Sequence, residues 1–82
     1  MLYEMQRTST EVLRFEVREY KGKVYADIRT YYQDGEEWKP TKKGLSISPA
    51  IWSDFVAGVE KLGAELRARG LLEDSDQEDE AA

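Results

Sequence analysis

The chain contains no cysteine and no histidine. Disulfide staples, thiolate metal sites, cysteine nucleophiles and imidazole acid–base chemistry are therefore all excluded. Its glycines are isolated, so no glycine-rich loop is available to cradle a phosphate. No stretch approaches the ~20 apolar residues of a membrane span, and the N-terminus lacks the basic-then-apolar pattern of a signal peptide. These absences lead us to expect a cytoplasmic protein with no catalytic residue, metal, cofactor, small-molecule substrate or membrane partner.

Eighty-two residues allow one small domain. A chain of this size buries only about 60–65% of its unfolded surface, so a monomer is marginally stable and a homodimer is expected. The net charge of −5 is unevenly spread. Six of the seventeen acidic residues (Glu73, Asp74, Asp76, Glu78, Asp79 and Glu80) lie in residues 71–82, which hold no basic residue. The remaining body, residues 1–70, carries twelve basic and eleven acidic residues and is close to neutral. Residues 71–82 read as a disordered acidic tail, either a solvated segment or one whose carboxylates compete for a basic groove.

Residues 1–10 are short and polar and read as a flexible arm. Alternation then begins: Leu13, Phe15 and Val17 point one way, while Arg14, Glu16, Arg18 and Tyr20 point the other. Lys21-Gly22 supplies a turn, after which Val24, Ala26 and Ile28 alternate with Tyr25, Asp27, Arg29 and Tyr31. Asp34-Gly35 marks the next turn. The predicted strands are 11–20, 23–33, 37–41 and 44–48, forming an antiparallel meander with one apolar face. Pro40 has no N–H for a ladder bond, so its strand should lie at an edge or be bulged.

Ser48-Pro49 predicts a helix start, with serine as the cap and proline in the first turn. A helix over 49–69 would line up Trp52, Phe55, Val56, Val59, Leu62 and Leu66, and Gly70 suits its C-terminal cap. At roughly 30 Å it is long for so small a sheet. Its apolar stripe is therefore expected to form core or dimer interface.

Residues 18–32 interleave cations with aromatic rings, a pairing that suits phosphates together with unpaired bases. The alternative is a hairpin surface rich in Lys, Arg and Tyr for solubility and strand propensity alone.

The order V-R-E-Y-K-G-K-V-Y-A-D-I-R-T-Y-Y, followed by W-K-P-T-K-K-G-L-S-I-S-P-A-I-W, resembles the transcriptional coactivator family called positive cofactor four. The resemblance spans about residues 12–66. It implies an α+β fold: a strongly curved four-stranded antiparallel β-meander followed by one long C-terminal α-helix, in an intertwined homodimer that holds single-stranded DNA. By matching position it places Tyr20 and Tyr32 at base-stacking sites, and Lys21, Lys23 and Arg29 among the phosphate contacts. Lys39, Lys42, Lys43 and Arg18 match further basic residues of the family. Trp38 stands where the family often has Met and is read as either a stacking ring or a packing one.

Tyrosine replaces the family's Phe and Trp at the two stacking sites, and the hairpin near Gly35 looks about one residue shorter. The family's eukaryotic acidic N-terminal region is lacking, which suggests a bacterial or phage setting. Alternation puts Arg29 and Tyr32 on opposite strand faces unless a bulge, a twist or the groove rim re-aims the ring. Tyr31 is expected to be structural and Asp27 to pair with an arginine. The expected function is sequence-tolerant binding of single-stranded DNA in transcription, replication or repair. RNA binding in the same groove and an adaptor role toward the transcription machinery are the alternatives.

Overall fold

The computed structural model describes residues 1–72. The acidic residues from Glu73 onward, with the expectations attached to them, lie outside the described residues.

Residues 1–52 form one unit and the chain from Ser53 a second. The first is an antiparallel sheet of four strands in the order β1 (Tyr3–Gln6), β2 (Glu11–Tyr20), β3 (Lys23–Asp34) and β4 (Glu37–Ile47). The meander and the helix that follows in sequence match the expected α+β class. Two boundaries differ. Residues 3–6 of the expected arm are a strand, with Tyr3 opposite Phe15 and Gln6 opposite Val12. The Tyr3 and Phe15 rings meet edge to face, 5.4 Å between centroids, and the Gln6 amide ties down the connection by donating to the Thr8 carbonyl. In addition, the segments expected as two strands at 37–41 and 44–48 are one continuous strand, because Thr41, Lys42 and Lys43 form a bulge where a break was expected.

The hairpin between β2 and β3 turns at Lys21 (φ 53°) and Gly22 (φ 80°). Positive φ at both central residues gives a turn whose twist matches that of the flanking strands. Residues 11–20 of β2 then pair without interruption with residues 23–32 of β3.

This regular register fixes two faces. Val12, Arg14, Glu16, Arg18 and Tyr20 share one with Tyr25, Asp27, Arg29 and Tyr31. Leu13, Phe15 and Val17 share the other with Val24, Ala26, Ile28 and Tyr32. Among the described residues the buried hydrophobic side chains are Val12, Tyr31 and Ile47. Val17, Val24 and Leu45, on the apolar face, remain largely exposed.

Ser48 accepts a hydrogen bond from the Ala50 amide at 3.2 Å and starts a single 3₁₀ turn, Pro49–Ile51. The helix α1 follows over Trp52–Ala68. It ends on Gly70 (φ 73°), with Leu71 N–H donating to the Leu66 carbonyl and Gly70 N–H to that of Arg67, the paired bonds of a Schellman cap. Of the helix stripe expected as core or dimer interface, Phe55 and Val56 are half-buried, while Trp52, Val59, Leu62 and Leu66 are exposed. No helix among the described residues is long and apolar enough to cross a membrane.

Candidate nucleic-acid interface

On the polar face of the sheet, Arg18, Tyr20, Tyr25, Asp27, Arg29, Pro40, Thr41 and Ser46 line an open depression of about 640 Å³. Its floor is Asp27, only 3% exposed. A carboxylate this buried needs donors, and it has several. Arg29 donates from Nε at 3.3 Å and from Nη2 at 3.0 Å. Ser46 Oγ donates at 3.0 Å, and Arg18 Nε lies at 3.5 Å. Burial by itself would raise the Asp27 pKa. The bonds from Arg29 and Ser46 and the charges of Arg29 and Arg18 outweigh it and hold the carboxyl below its ordinary value. The hydrogen bonding that Arg29 donates to Asp27 in turn raises the Arg29 pKa.

Arg18 also lies 3.5 Å from Glu16 Oε1 and donates from Nη2 to the Tyr31 hydroxyl at 2.9 Å. Tyr31 is thus a structural ring, buried opposite Val12, with the Arg14 guanidinium 4.6 Å from its centroid. Arg14 in turn donates to Glu4 of β1 at 2.9 Å. The two arginines expected at DNA are therefore already matched to internal carboxylates. What they offer a ligand is oriented N–H groups more than uncompensated charge.

Uncompensated charge sits at the rim. Lys21 lies in the β2–β3 turn and Lys23 follows it, and Lys42 and Lys43 project from β4; all four are exposed and make no ion pair among the described residues. Lys39 differs, being paired with Asp34 at 2.8 Å. Tyr20 leaves its ring 64% exposed beside the depression, with Lys21 Nζ 5.3 Å from the ring centroid.

Tyr32 does not line the depression. The irregularity of the sheet lies in β4, between the partners of Arg29 and Tyr31, while β2 and β3 stay in regular register. Nothing in β3 therefore re-aims Tyr32, which stays on the face of Leu13 and Ile28 and is 40% exposed. Trp38, opposite Gln33, falls on the Arg29 side and is half-buried. The structure brings together Arg18, Tyr20 and Arg29 of the expected set with Tyr25, which the alternation places on the same face, and adds Thr41 and Ser46. Thr41 gave no signal in the sequence beyond its place beside Lys42, and Ser46 gave none.

Residues 8–58 match the family model described as Transcriptional Coactivator p15 (PC4). The chain belongs to this family. It is 42% identical over 41 residues to a putative RNA polymerase II transcriptional coactivator of Caenorhabditis elegans, covering 48% of this chain and 33% of that protein. It is 46% identical over 43 residues to the RNA polymerase II transcriptional coactivator KELP of Arabidopsis thaliana, covering 51% of this chain and 26% of that one. The matches thus span a third or less of these curated relatives. Among solved structures, a PC4 homologue from Burkholderia pseudomallei superposes with a TM-score of 0.71 at 27% identity, covering 76% of this chain and 85% of that one. The MoSub1–ssDNA complex superposes with a TM-score of 0.60 at 28% identity, covering 82% and 78%. The bacteriophage T5 homologue shares the fold at 24% identity and a TM-score of 0.60, covering 95% of this PC4-family chain and 90% of its own.

Proposed function

We propose that this PC4-family chain is a homodimeric, non-enzymatic single-stranded-DNA-binding protein with little sequence preference, acting as a transcription cofactor. The observation that carries the reading is the convergence of Arg18, Tyr20, Tyr25 and Arg29 around one open depression, with Lys21 and Lys42 next in sequence to its lining residues Tyr20 and Thr41 and without an ion pair among the described residues. Rings accept any base, and lysines follow the backbone without reading sequence. The likeness to the MoSub1–ssDNA complex and to the named coactivators supports the reading. Dimerisation is supported by the thin core of the single chain and by exposed apolar side chains. Val17, Val24, Ala26, Pro49 and Trp52 surround an apolar hollow of about 240 Å³ that a second subunit would cover.

Four phosphate-facing lysines give an expected salt slope near −3, at about −0.7 per contact for a single strand. Fluorescence anisotropy with labelled oligo-dT and with the matched duplex tests the reading, with subunit mass measured by light scattering. The single strand is expected to bind more tightly. Tyr20→Ala should weaken it by about 1–3 kcal/mol for one lost stacked base, and Tyr32→Ala, on the other face, by less. Equal or tighter duplex binding would overturn the proposal.

A further inference from the structure

Between Arg29–Gly44 and Tyr31–Pro40, the two pairings flanking the irregularity, β3 advances by one residue, Thr30, while β4 contributes Thr41, Lys42 and Lys43. An unpaired excursion of this kind in an edge strand is ordinarily a soft spot. Here it is fastened from three directions. Arg29 Nη1 donates to the Thr41 carbonyl at 3.0 Å, Thr41 Oγ1 donates to the Thr30 carbonyl at 2.8 Å, and the Lys43 amide donates to Thr41 Oγ1 at 3.0 Å. The guanidinium making the first bond is itself held by Asp27. Just after the bulge, Gly44 lets β4 approach so closely that a side chain there would meet the Ile28 carbonyl oxygen at 2.7 Å. The Thr41 hydroxyl is thus both donor and acceptor, and each of these three bonds passes through Thr41. Lys42 and Lys43 ride on it, exposed and without an ion pair among the described residues.

We infer that Thr41 is a positioning residue for DNA binding: with Arg29 and Asp27 it latches the β4 bulge so that Lys42 and Lys43 are held ready for successive phosphates. The inference rests on the proposed single-strand binding. A latched pair of lysines loses less conformational freedom on binding than a mobile pair, so the latch contributes affinity without itself touching DNA. The guanidinium fork is required as well, since it spans a carboxylate and a backbone carbonyl at once, which an ammonium on a single stem does not.

The test compares oligo-dT binding across salt for the full chain, Thr41→Val, Thr41→Ser, Lys42→Gln/Lys43→Gln, and Thr41→Val combined with the double lysine change. Thr41→Val removes two hydrogen bonds with little change of volume and should weaken binding by about tenfold. It should also flatten the salt slope by up to about 1.4, at about 0.7 per lysine. Thr41→Ser should restore both, and the combined variant should bind no more weakly than the double lysine variant. Wild-type affinity in Thr41→Val, weakening at an unchanged slope, or full additivity with the lysine changes would overturn the latch. A double lysine variant that binds like the wild type would overturn the phosphate assignment of these lysines, and the latch with it. If Thr41→Val does not fold, Arg29→Lys breaks the same chain from the β3 side and should flatten the slope in the same way, whereas an unchanged slope would overturn the inference.

Discussion

Gly44→Ala is the substitution whose cost can be worked most directly from the structure. An ideal Cβ at this position would lie 2.7 Å from the Ile28 carbonyl oxygen, 2.9 Å from Arg29 Cα and 3.1 Å from Arg29 Cβ. The nearest contact is about 0.7 Å short of the 3.4 Å at which ordinary contact begins. Two of the three opposing atoms are backbone and the third is bonded directly to it, so no flexible side chain can swing away. Relief requires β4 to lift off β3 where Arg29 pairs with Gly44. Overpacking that shifts backbone costs typically about 1–3 kcal/mol. With a urea m-value of about 1–3 kcal/mol/M for a small protein, the midpoint should fall by roughly 1 M. Urea unfolding followed by circular dichroism, at matched subunit concentration, measures it. A loss below about 0.5 kcal/mol, the range of an ordinary surface change, would show that the β3–β4 approach is looser than described and would refute the reasoning.

Two further predictions concern stability. Gly58, inside α1, has nothing within 4 Å of a Cβ added there, so Gly58→Ala should stabilise the chain by up to about 1 kcal/mol through helix propensity; a lower unfolding midpoint would refute this. The ionised Asp27, held below its ordinary value of 3.8, contributes stability that is fully present above that value and disappears as pH falls through its lowered one. The stability gap between wild type and Asp27→Asn should accordingly be widest near neutrality and close in acid, and a gap constant down to pH ~2 would remove the charged role of Asp27.

The strands β2 and β3 were legible because their burial is one-sided over many residues. Leu13, Phe15 and Val17 alternate with Arg14, Glu16 and Arg18, and a one-residue slip would invert both faces. The helix start was legible because Ser48-Pro49 combines a cap with a fixed φ. The strand β1 was not, since four exposed residues carry no core pattern and are held mainly by pairing to β2. Lys42-Lys43 was read as a break between two strands because a bulge and a turn draw on the same residue types. Only the register of β3 against β4, with Thr41 tied to both Thr30 and Arg29, separates them. At Tyr32 two sequence signals conflicted: family position places it at bases, whereas the period of two places it opposite Arg29. The regular β2–β3 ladder follows the period.

A chain of net charge −5 is at first sight a poor partner for a polyanion. Its division of labour removes much of the difficulty. On the floor of the depression Arg18 and Arg29 face Asp27 and Glu16, so two cations meet two anions and the local sum is near zero. Such a floor orients donors and keeps the guanidinium planes in place, but releases few counterions when a strand binds. In the proposed complex the exposed lysines at positions 21, 23, 42 and 43 would supply the long-range attraction instead, and being exposed they are screened within about 8–10 Å at moderate ionic strength. Affinity should then fall steeply with salt through the rim lysines, while the geometry of the bound strand, set by Tyr20 and the paired arginines, stays much the same. Adding further charge to the floor would raise affinity for any polyanion, duplex included. A neutral floor with a basic rim instead lets the exposed rings decide, and rings can stack only on bases that are unpaired.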